Sequence, residues 1–392
     1  MAVIKIKENI YFVGANHWDR RLFDELIPLP DGTSYNAYLV IGENKVALID
    51  TVDPQTKQQF FDNLDELKIK KIDYVISNHA EQDHSGVIPD VLEKYPEAKV
   101  VTNEKCKVML MDLLLIPEEK FIVIKEKDTL DLGGKTLEFY MIPWVHWPET
   151  MATYLKEDKI LFPCDMFGSH IATSDIFDEE HFYIPAKRYY AEIMSPFRNN
   201  VRNNIEKIKK LDIEIIAPSH GYIYKDPKKI ISAYEDWSSE NVKNEVVIAY
   251  VSMHGSTKKM AEFLREELIK RSLKVNFFNL TVTDTGVLAM SLIDAATLVI
   301  AAPTTLSGIH PKAAYVLYLA NLLRIKTKYI SIVSSYGWAE KTLEVVKTLA
   351  PNVKAEIVYP VITKGYPKEK DFKELEKLAD EILAKHKSLN LV

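Results

Sequence analysis

The chain has 392 residues, of which 47% are hydrophobic and 27% are charged, and its formal net charge is −6 at pH 7. This length exceeds one ordinary hydrophobic core, so we expect two domains. The negative net charge excludes the basic field that nucleic-acid binding needs, and no apolar run approaches the roughly 18 residues that cross a bilayer. We therefore expect neither nucleic acid nor membrane as a partner.

The two cysteines, Cys106 and Cys164, are far apart and form no C-x-x-C pair. Their spacing excludes a disulfide framework, a zinc ribbon and a rubredoxin-type iron site, so any iron must be bound by nitrogen and oxygen atoms. The first residues alternate between strand and turn patterns and show no signal peptide. We therefore expect a cytoplasmic protein.

The first part of the chain combines short apolar strand patterns with helical ones. In chain order, the patterns predict strands at 36–41, 46–49, 72–77, 120–124, 136–142, 151–154, 160–162 and 213–217, and helices at 55–67, 87–93, 104–115 and 186–211. Pro227 is expected to open a further helix, since proline is favoured at the first helical position. Two sheets flanked by helices fit this order.

After a polar stretch at 237–243, the pattern changes to a regular alternation of strand and helix. Apolar strands are predicted at 246–251, 274–278, 297–301, 330–333 and 356–359. This alternation is typical of a doubly wound parallel sheet. We therefore predict one domain over 1–243 and a second over 244–392.

Histidine and acidic residues follow several predicted strands of the first domain. They are His79, Glu81, Asp83 and His84 after 72–77, His146 after 136–142, Asp165 after 160–162, and His220 after 213–217. Each histidine alone is more often a polar loop or core residue. Together, four imidazoles and three carboxylates at strand ends suit two first-row metals that share a bridging carboxylate, with positions left open for a small oxidant.

The spacing of this motif resembles that of the metallo-β-lactamase fold, whose zinc hydrolases carry H-x-H-x-D-H. Here Glu81 stands where such a hydrolase has its second histidine. An anionic oxygen ligand stabilises Fe(II)/Fe(III) couples, and mixed imidazole and carboxylate ligation is the usual setting for non-haem iron oxygen chemistry. The substitution therefore favours redox chemistry over hydrolysis.

The segment 252–257, after the first strand of the second domain, is a candidate phosphate loop. The hydroxyls of Ser252, Ser256 and Thr257, with unpaired N–H groups at a helix start, suit a dianionic phosphate. Gly255 permits a close backbone approach. A Ser/Thr-rich turn before a helix is often only a helix cap, so this segment alone does not decide the ligand.

Two later loops, 302–308 and 334–338, strengthen the prediction of a bound FMN. They follow the third and fourth strands, at the edge where flavodoxin-like folds bind this cofactor. Tyr336 or Trp338 is expected to stack on the isoalloxazine ring, although Trp338 also fits a core position at a helix start. The candidate FMN contacts are Ser252, Met253, His254, Gly255, Ser256, Thr257, Pro303, Thr304, Thr305, Leu306, Ser335, Tyr336, Gly337 and Trp338.

The combination of both halves resembles the flavodiiron proteins, also called A-type flavoproteins, over nearly the whole chain. Segments 33–40, 146–150 and 217–221 are also similar to stretches around the metal site of that family. The resemblance implies an α+β metallo-β-lactamase-like αββα sandwich followed by an α/β flavodoxin-like doubly wound parallel sheet. It also implies a ligand assignment: His79, Glu81 and His146 on one iron, Asp83, His84 and His220 on the other, and Asp165 as the bridge.

Flavodiiron proteins reduce O2 to water or NO to N2O, using FMN to pass electrons to the diiron site. The resemblance implies this activity here, in a head-to-tail homodimer or dimer of dimers in which FMN of one subunit faces the diiron site of its partner. The given chain ends after the flavodoxin-like half, and we expect a separate electron donor such as rubredoxin or a reduced deazaflavin. The presence of His254 in the candidate phosphate loop gives a weak resemblance to the deazaflavin-oxidising members of the family.

Two alternatives have weight, and the substrate preference stays open. A zinc hydrolase with an appended flavodoxin-like domain would keep the metal loops, but Glu81 counts against it. A non-catalytic FMN electron carrier would leave the seven candidate ligands without a purpose. Some relatives have a histidine in the N-terminal loop above the iron pocket, whereas 20–26 contains none, so the sequence does not separate O2 from NO.

Overall fold

The structure is a computed structural model that describes residues 3–177, 180–340 and 342–392. The chain divides into two compact units, Met1–Ser238 and Ser239–Val392, and the division lies a few residues before the predicted boundary. Across the described ranges, no helix is long and apolar enough to cross a membrane.

The first unit contains two main sheets and two short two-stranded sheets. Its strands are β1 (Ile4–Lys7), β2 (Ile10–Phe12), β3 (Ala15–His17), β4 (Leu22–Phe23), β5 (Ile27–Pro28), β6 (Thr33–Tyr35), β7 (Tyr38–Ile41), β8 (Val46–Ile49), β9 (Tyr74–Ile76), β10 (Lys99–Thr102), β11 (Phe121–Val123), β12 (Thr129–Asp131), β13 (Thr136–Met141), β14 (Met151–Leu155), β15 (Ile160–Phe162) and β16 (Ile215–Ile216). The two short sheets are β3-β6 and β4-β5. Its α-helices are α1 (Lys57–Glu66), α2 (Gln82–Ser85), α3 (Ile88–Lys94), α4 (Glu104–Leu114), α5 (Tyr183–Tyr189), α6 (Arg198–Ile208) and α7 (Pro227–Ser238).

The two main sheets pack face to face between layers of helix. The first has the strand order β1-β2-β7-β8-β9-β10-β11, and the second has the order β12-β13-β14-β15-β16. One buried cluster joins the sheets, for example Phe12 with Phe139 and Phe162, and another joins the first sheet to α1, α3 and α4. On the other side, Lys207 of α6 donates to the carbonyl oxygen of Met141 at the end of β13. The predicted αββα sandwich is confirmed.

Strand direction determines where the loops of this unit meet. β8, β9, β10 and β11 run parallel to one another, and β15 runs parallel to β16. Loops that leave the carboxyl ends of parallel strands emerge at the same edge of a sheet. The segments after β9, β15 and β16 are the ones that carry most of the candidate metal ligands.

The predicted long helix at 186–211 is interrupted in the structure. α5 continues into a π-turn over Tyr190–Met194 and a 3-10 turn over Ser195–Phe197 before α6 begins. Pro196 explains the break, because proline has no N–H group to donate and its ring clashes with the preceding turn. Helical spacing of apolar residues continues through the break, which is why the sequence pattern concealed it.

The second unit is a parallel sheet with helices on both faces. Its strands are β17 (Lys243–Tyr250), β18 (Lys274–Asn279), β19 (Ala295–Ala301), β20 (Thr304–Thr305), β21 (Gly308–Ile309), β22 (Tyr329–Tyr336), β23 (Glu356–Ile357) and β24 (Val361–Lys364). Its helices are α8 (Ser256–Lys270), α9 (Thr285–Asp294), α10 (Pro311–Leu322), α11 (Thr342–Leu349) and α12 (Glu369–Ser388).

The main sheet of this unit has the order β18-β17-β19-β22-β23, with β24 also paired to β22, and every pairing is parallel. Starting from the first strand in the chain, this is the flavodoxin-like order. α8 and α12 cover one face, while α9, α10 and α11 cover the other. The predicted doubly wound sheet is confirmed. The strand predicted at 356–359 is shorter and is followed by β24, since Pro360 cannot donate to the ladder.

Candidate functional site

The segment after β9 carries four of the seven predicted metal ligands. His79 lies in a loop, Glu81 is the N-cap of α2, and Asp83 and His84 lie within α2. The expected loop is therefore partly one helical turn, in which the His84 N–H donates to the Glu81 carbonyl oxygen at 3.0 Å. Successive residues of a helix point about 100° apart, so adjacent side chains diverge.

The first ligand group consists of His79, Glu81, His146 and one oxygen of Asp165. The Nε2 atoms of His79 and His146 each lie 3.1 Å from Oε2 of Glu81. The same two nitrogens lie 3.5 and 3.6 Å from Oδ2 of Asp165. One ligand atom from each residue lies within 4.8 Å of all the others, which is a spacing compatible with one metal ion.

The second ligand group consists of Asp83, His84, His220 and the other oxygen of Asp165. Nε2 of His220 lies 3.2 Å from Oδ2 of Asp83, and Nε2 of His84 lies 3.4 Å from it. Oδ1 of Asp165 lies 2.9 Å from His84 and 3.4 Å from His220. The two oxygens of Asp165 therefore face different groups, as a bridging carboxylate does.

These side chains are buried, although the two groups differ in access. His79, His84, Asp165 and His220 are at most 1% exposed. In the first ligand group, by contrast, the side chains of Glu81 and His146 are each 15% exposed. A small molecule from solvent therefore meets Glu81 and His146 before the other candidate ligands.

Opposite charges shift the pKa values of the buried groups strongly. Burial alone would raise the pKa of Asp165, but the imidazoles of His84 and His79 outweigh it and hold that pKa well below its usual value. Burial also disfavours a charged His84, yet Asp83 and Asp165 raise its pKa to about 9. Asp165 therefore retains a negative charge that favours cations.

Unsatisfied atoms indicate that a cation fits between these residues. Among the described residues, none makes a hydrogen bond to either oxygen of Asp83, although both atoms are buried. His79 faces a carboxylate at each ring nitrogen, at 2.7 Å from Glu149 and 3.1 Å from Glu81. A neutral imidazole has one N–H, so only one ring nitrogen of His79 can donate to a carboxylate. A metal ion bound at Nε2 would take the place of the missing hydrogen there and would neutralise the nearby carboxylate.

Three residues that support the candidate ligands were not predicted as site residues. Glu149 contacts the Nδ1 atom of His79, the Ser34 carbonyl oxygen accepts from Nδ1 of His220 at 2.7 Å, and the Tyr189 hydroxyl donates to Oδ1 of Asp165 at 2.9 Å. Glu149 and Ser34 lie in the segments 146–150 and 33–40, whose sequences resemble stretches around the metal site of a known family. Tyr189 had no such signal.

A separate cleft in the second unit has a volume of about 200 Å³. Its lining residues are Ser252, Met253, His254, Ser256, Thr257, Pro303, Thr304, Ser335, Tyr336, Gly337 and Gly365. α8 begins at this cleft, and among the described residues no side chain caps its first turn. An added Cβ at Gly255, which has φ +88°, would meet no atom within 4 Å, so the start of α8 leaves room for a phosphate.

Most of the predicted FMN contacts line this cleft, but four do not. Gly255, Thr305, Leu306 and Trp338 are absent from the lining, and Leu306 and Trp338 are 91% and 79% exposed. Gly365 lines the cleft although no sequence pattern marked it. Of the two candidate stacking residues, Tyr336 lines the cleft and Trp338 does not. Tyr336 is therefore the better placed partner for a flavin ring in this structure.

Sequence comparison identifies relatives along most of the chain. Residues 33–221 match the family described as ODP family beta lactamase. A nitric oxide reductase of Moorella thermoacetica is 36% identical over 353 residues, which cover 87% of this chain and 88% of that protein. A coenzyme F420H(2) oxidase of Methanothermobacter marburgensis is also 36% identical, and the match covers 82% of both chains.

Two solved structures are similar to this chain over nearly its whole length. The rubredoxin oxygen:oxidoreductase of Desulfovibrio gigas has a TM-score of 0.96 at 28% identity and covers 100% of both chains. The flavodiiron protein of Giardia intestinalis has a TM-score of 0.91 at 26% identity and covers 99% of this chain and 98% of that one. The chain belongs to the flavodiiron protein family.

This flavodiiron protein is an oxidoreductase, as its named relatives are. The two alternatives from the sequence, a zinc hydrolase and a non-catalytic carrier, are not favoured. The structure of the chain offers two ligand groups joined by Asp165 and a cleft with an uncapped helix start. The ligand groups fit two iron ions and the cleft fits a flavin, which are the cofactors that the family name states.

Hydroxyl groups connect the cleft walls of this flavodiiron protein. Thr257 Oγ1 lies 2.9 Å from Ser335 Oγ, which joins the start of α8 to β22. Thr342 Oγ1 lies 3.2 Å from both Thr304 Oγ1 and Ser334 Oγ, so it links the 302–308 loop to the same strand. These bonds fix the relative positions of the three predicted FMN loops.

Proposed function

We propose that this flavodiiron protein reduces O2 to water, NO to N2O, or both, with electrons that pass from an external donor through FMN to a non-haem diiron site. Reduction of O2 consumes four electrons and four protons and releases two waters, while two NO consume two electrons and two protons and release N2O and one water. The observation that carries the proposal is the position of Asp165, with one oxygen toward each ligand group.

We assign the candidate ligands as the distances group them. His79, Glu81 and His146 would hold one iron, Asp83, His84 and His220 would hold the other, and Asp165 would bridge them. When bound, the iron pair supplies reducing electrons at positions left open for a small oxidant. The first unit would therefore carry the diiron chemistry, and the domain over 244–392 would bind FMN.

The surrounding residues orient the ligands and limit access to them. The Tyr189 hydroxyl donates to Oδ1 of Asp165, which fixes the rotation of the bridging carboxylate. Ser34 holds His220 through Nδ1, which leaves Nε2 free for a metal. Burial of most ligands restricts water, while the partial exposure of Glu81 and His146 leaves an approach for a diatomic molecule.

The second unit supplies groups suited to FMN. The hydroxyls of Ser252, Ser256 and Thr257 and the uncapped start of α8 would bind the phosphate. Tyr336 and the loop residues Pro303 and Thr304 line the part of the cleft that the ring would occupy. When bound, FMN supplies single-electron and two-electron transfer.

We also propose a head-to-tail homodimer or a dimer of dimers and a separate electron donor, either rubredoxin or a reduced deazaflavin. The structural relative from Desulfovibrio gigas is named for rubredoxin, and the relative from Methanothermobacter marburgensis is named for F420H(2). Leu306 and Trp338 extend into solvent beside the cleft, and a second subunit would cover such apolar side chains. Gel filtration of an active protein as a monomer would contradict the dimer.

Anaerobic purification with iron, zinc and flavin quantification tests the function. We expect two iron ions and one FMN for each chain, and consumption of O2 or NO with chemically reduced rubredoxin. Two zinc ions without iron would establish the hydrolase alternative. Full oxygen consumption by a variant that lacks the Asp165 carboxylate would instead favour the carrier. Parallel assays with reduced F420 identify the donor, and comparison of the O2 and NO rates identifies the substrate.

A further inference from the structure

The three fully buried histidines of the two ligand groups differ in what their Nδ1 atoms contact. Nδ1 of His79 lies 2.7 Å from Oε1 of Glu149, a carboxylate. Nδ1 of His220 lies 2.7 Å from the neutral carbonyl oxygen of Ser34. Among the described residues, none bonds to Nδ1 of His84. The first ligand group therefore has a charged partner behind its buried imidazole, whereas the second has a neutral one.

Glu149 is held in place on several sides. It is only 2% exposed. Its Oε1 atom also accepts the N–H of Ala80 at 3.0 Å, and its main-chain carbonyl oxygen accepts from the Asn103 side chain at 2.7 Å. A carboxylate fixed at both its side chain and its backbone cannot turn away from His79. The contact between Glu149 and His79 is therefore held by buried groups and involves no flexible surface side chain.

We propose that Glu149 is a positioning residue that makes the first ligand group the tighter of the two metal sites. A carboxylate that accepts the Nδ1–H of His79 sets the tautomer, leaves Nε2 as the donor atom, and increases the electron density on the ring. A backbone carbonyl oxygen sets the same tautomer at His220 but adds no formal charge. The inference rests on the proposed diiron function. It adds that the first ligand group binds its metal ion more tightly than the second ligand group does.

The test isolates each ligand group and then changes Glu149. The variant H220A removes a ligand of the second group, and H146A removes a ligand of the first. Glu149→Gln is introduced into each background, because glutamine can still accept the His79 N–H while the charge is lost. Zn²⁺ binding to the full chain, stripped of metal, is measured by calorimetric titration against a competing chelator at fixed pH.

In the H220A background, we expect E149Q to weaken Zn²⁺ binding by about 10- to 100-fold, as loss of a carboxylate behind a histidine ligand does elsewhere. In the H146A background, the change should stay below about threefold. The control E138Q removes a partly buried, hydrogen-bonded glutamate of β13 and should change neither affinity. An equal loss in both backgrounds, or no loss in either, would overturn the proposal.

Measurements of folding and of metal content show whether the diiron proposal or the positioning role of Glu149 has failed. Far-UV circular dichroism checks that E149Q folds, and E149A provides a second variant with an expected loss at least as large. If the unsubstituted chain binds fewer than two ions, the diiron proposal fails. If it binds two ions and E149Q has no selective effect, the positioning role of Glu149 fails and the diiron proposal stands.

Discussion

The candidate metal centre, which is formed by the two ligand groups, and the candidate flavin cleft in the second unit are built from different kinds of chemical group. The metal centre consists of titratable side chains that are almost completely buried, with distances near 3 Å between them. The cleft consists of hydroxyls, glycines and an uncapped helix start, open to solvent. A metal site depends on particular side chains and their charges, whereas a phosphate and ring site depends mainly on backbone shape. The predictions below test that contrast in decreasing order of expected effect.

The largest effect is expected at Asp165. Asp165→Asn removes the charge that faces both ligand groups, so we expect iron content to fall from two ions to one or none. O2 or NO consumption should fall by about 100-fold or more, which corresponds to roughly 2.7 kcal/mol of lost stabilisation. FMN content should not change. The control D212N alters an exposed aspartate paired with Lys159 and should retain both ions. Normal iron content in D165N would contradict the bridging role.

Thr257 should affect the cleft without affecting the metal centre. Thr257→Val removes a hydroxyl that bonds Ser335 and faces the predicted phosphate position. We expect FMN binding, measured by recovery of flavin fluorescence on dilution, to weaken by about tenfold, in keeping with one lost hydrogen bond to a charged group. T257S keeps the hydroxyl and should bind FMN nearly as the unsubstituted protein does. A parallel loss of iron would show that the two sites are coupled.

The two candidate stacking residues can be separated by matched substitutions. Tyr336 lines the cleft, while Trp338 is 79% exposed. We expect Y336A to weaken FMN binding by about fivefold, in line with a ring contact of roughly 1 kcal/mol, and W338A to have a smaller effect. The reverse order would mean that the loop at 334–338 rearranges when FMN binds.

The smallest effect is a pH dependence of stability that arises in the second unit. His386 is fully buried between Thr297 and Asn244, and burial lowers its pKa to about 4. The folded chain therefore binds fewer protons here than the unfolded chain at pH values between about 4 and 6.5. Stability should be complete above pH 6.5 and fall as the pH drops toward 4.

Thermal melts of the unsubstituted protein and H386Q at pH 7.5 and pH 5.8 measure this contribution of His386 to stability. The unsubstituted protein should lose about 1 kcal/mol more than H386Q between the two values, because glutamine cannot take up a proton. Equal losses in both proteins would mean that another group dominates the acid response. Neither result should depend on added metal, since His386 lies in the unit that carries the flavin cleft.

Much of the fold was predictable from local patterns. The strands 46–49 and 160–162 and the helix start at Pro227 agree with the structure, because apolar spacing and proline act within a few residues. The break at Pro196 was missed, since the spacing of apolar residues continued through it. β24 was missed for a related reason, because Pro360 divides an apolar run into two short strands.

The sequence by itself determined the residue types of the candidate metal centre, because Glu81 and the four histidines are chemical features that need no coordinates. It also determined the alternation that produces the second sheet. Only the tertiary structure decided that Asp165 turns one oxygen to each ligand group, that Glu149 supports His79, and that Tyr336 lines the cleft while Trp338 does not. Such relations depend on packing between residues far apart in the chain, and no local pattern encodes side-chain direction across that distance.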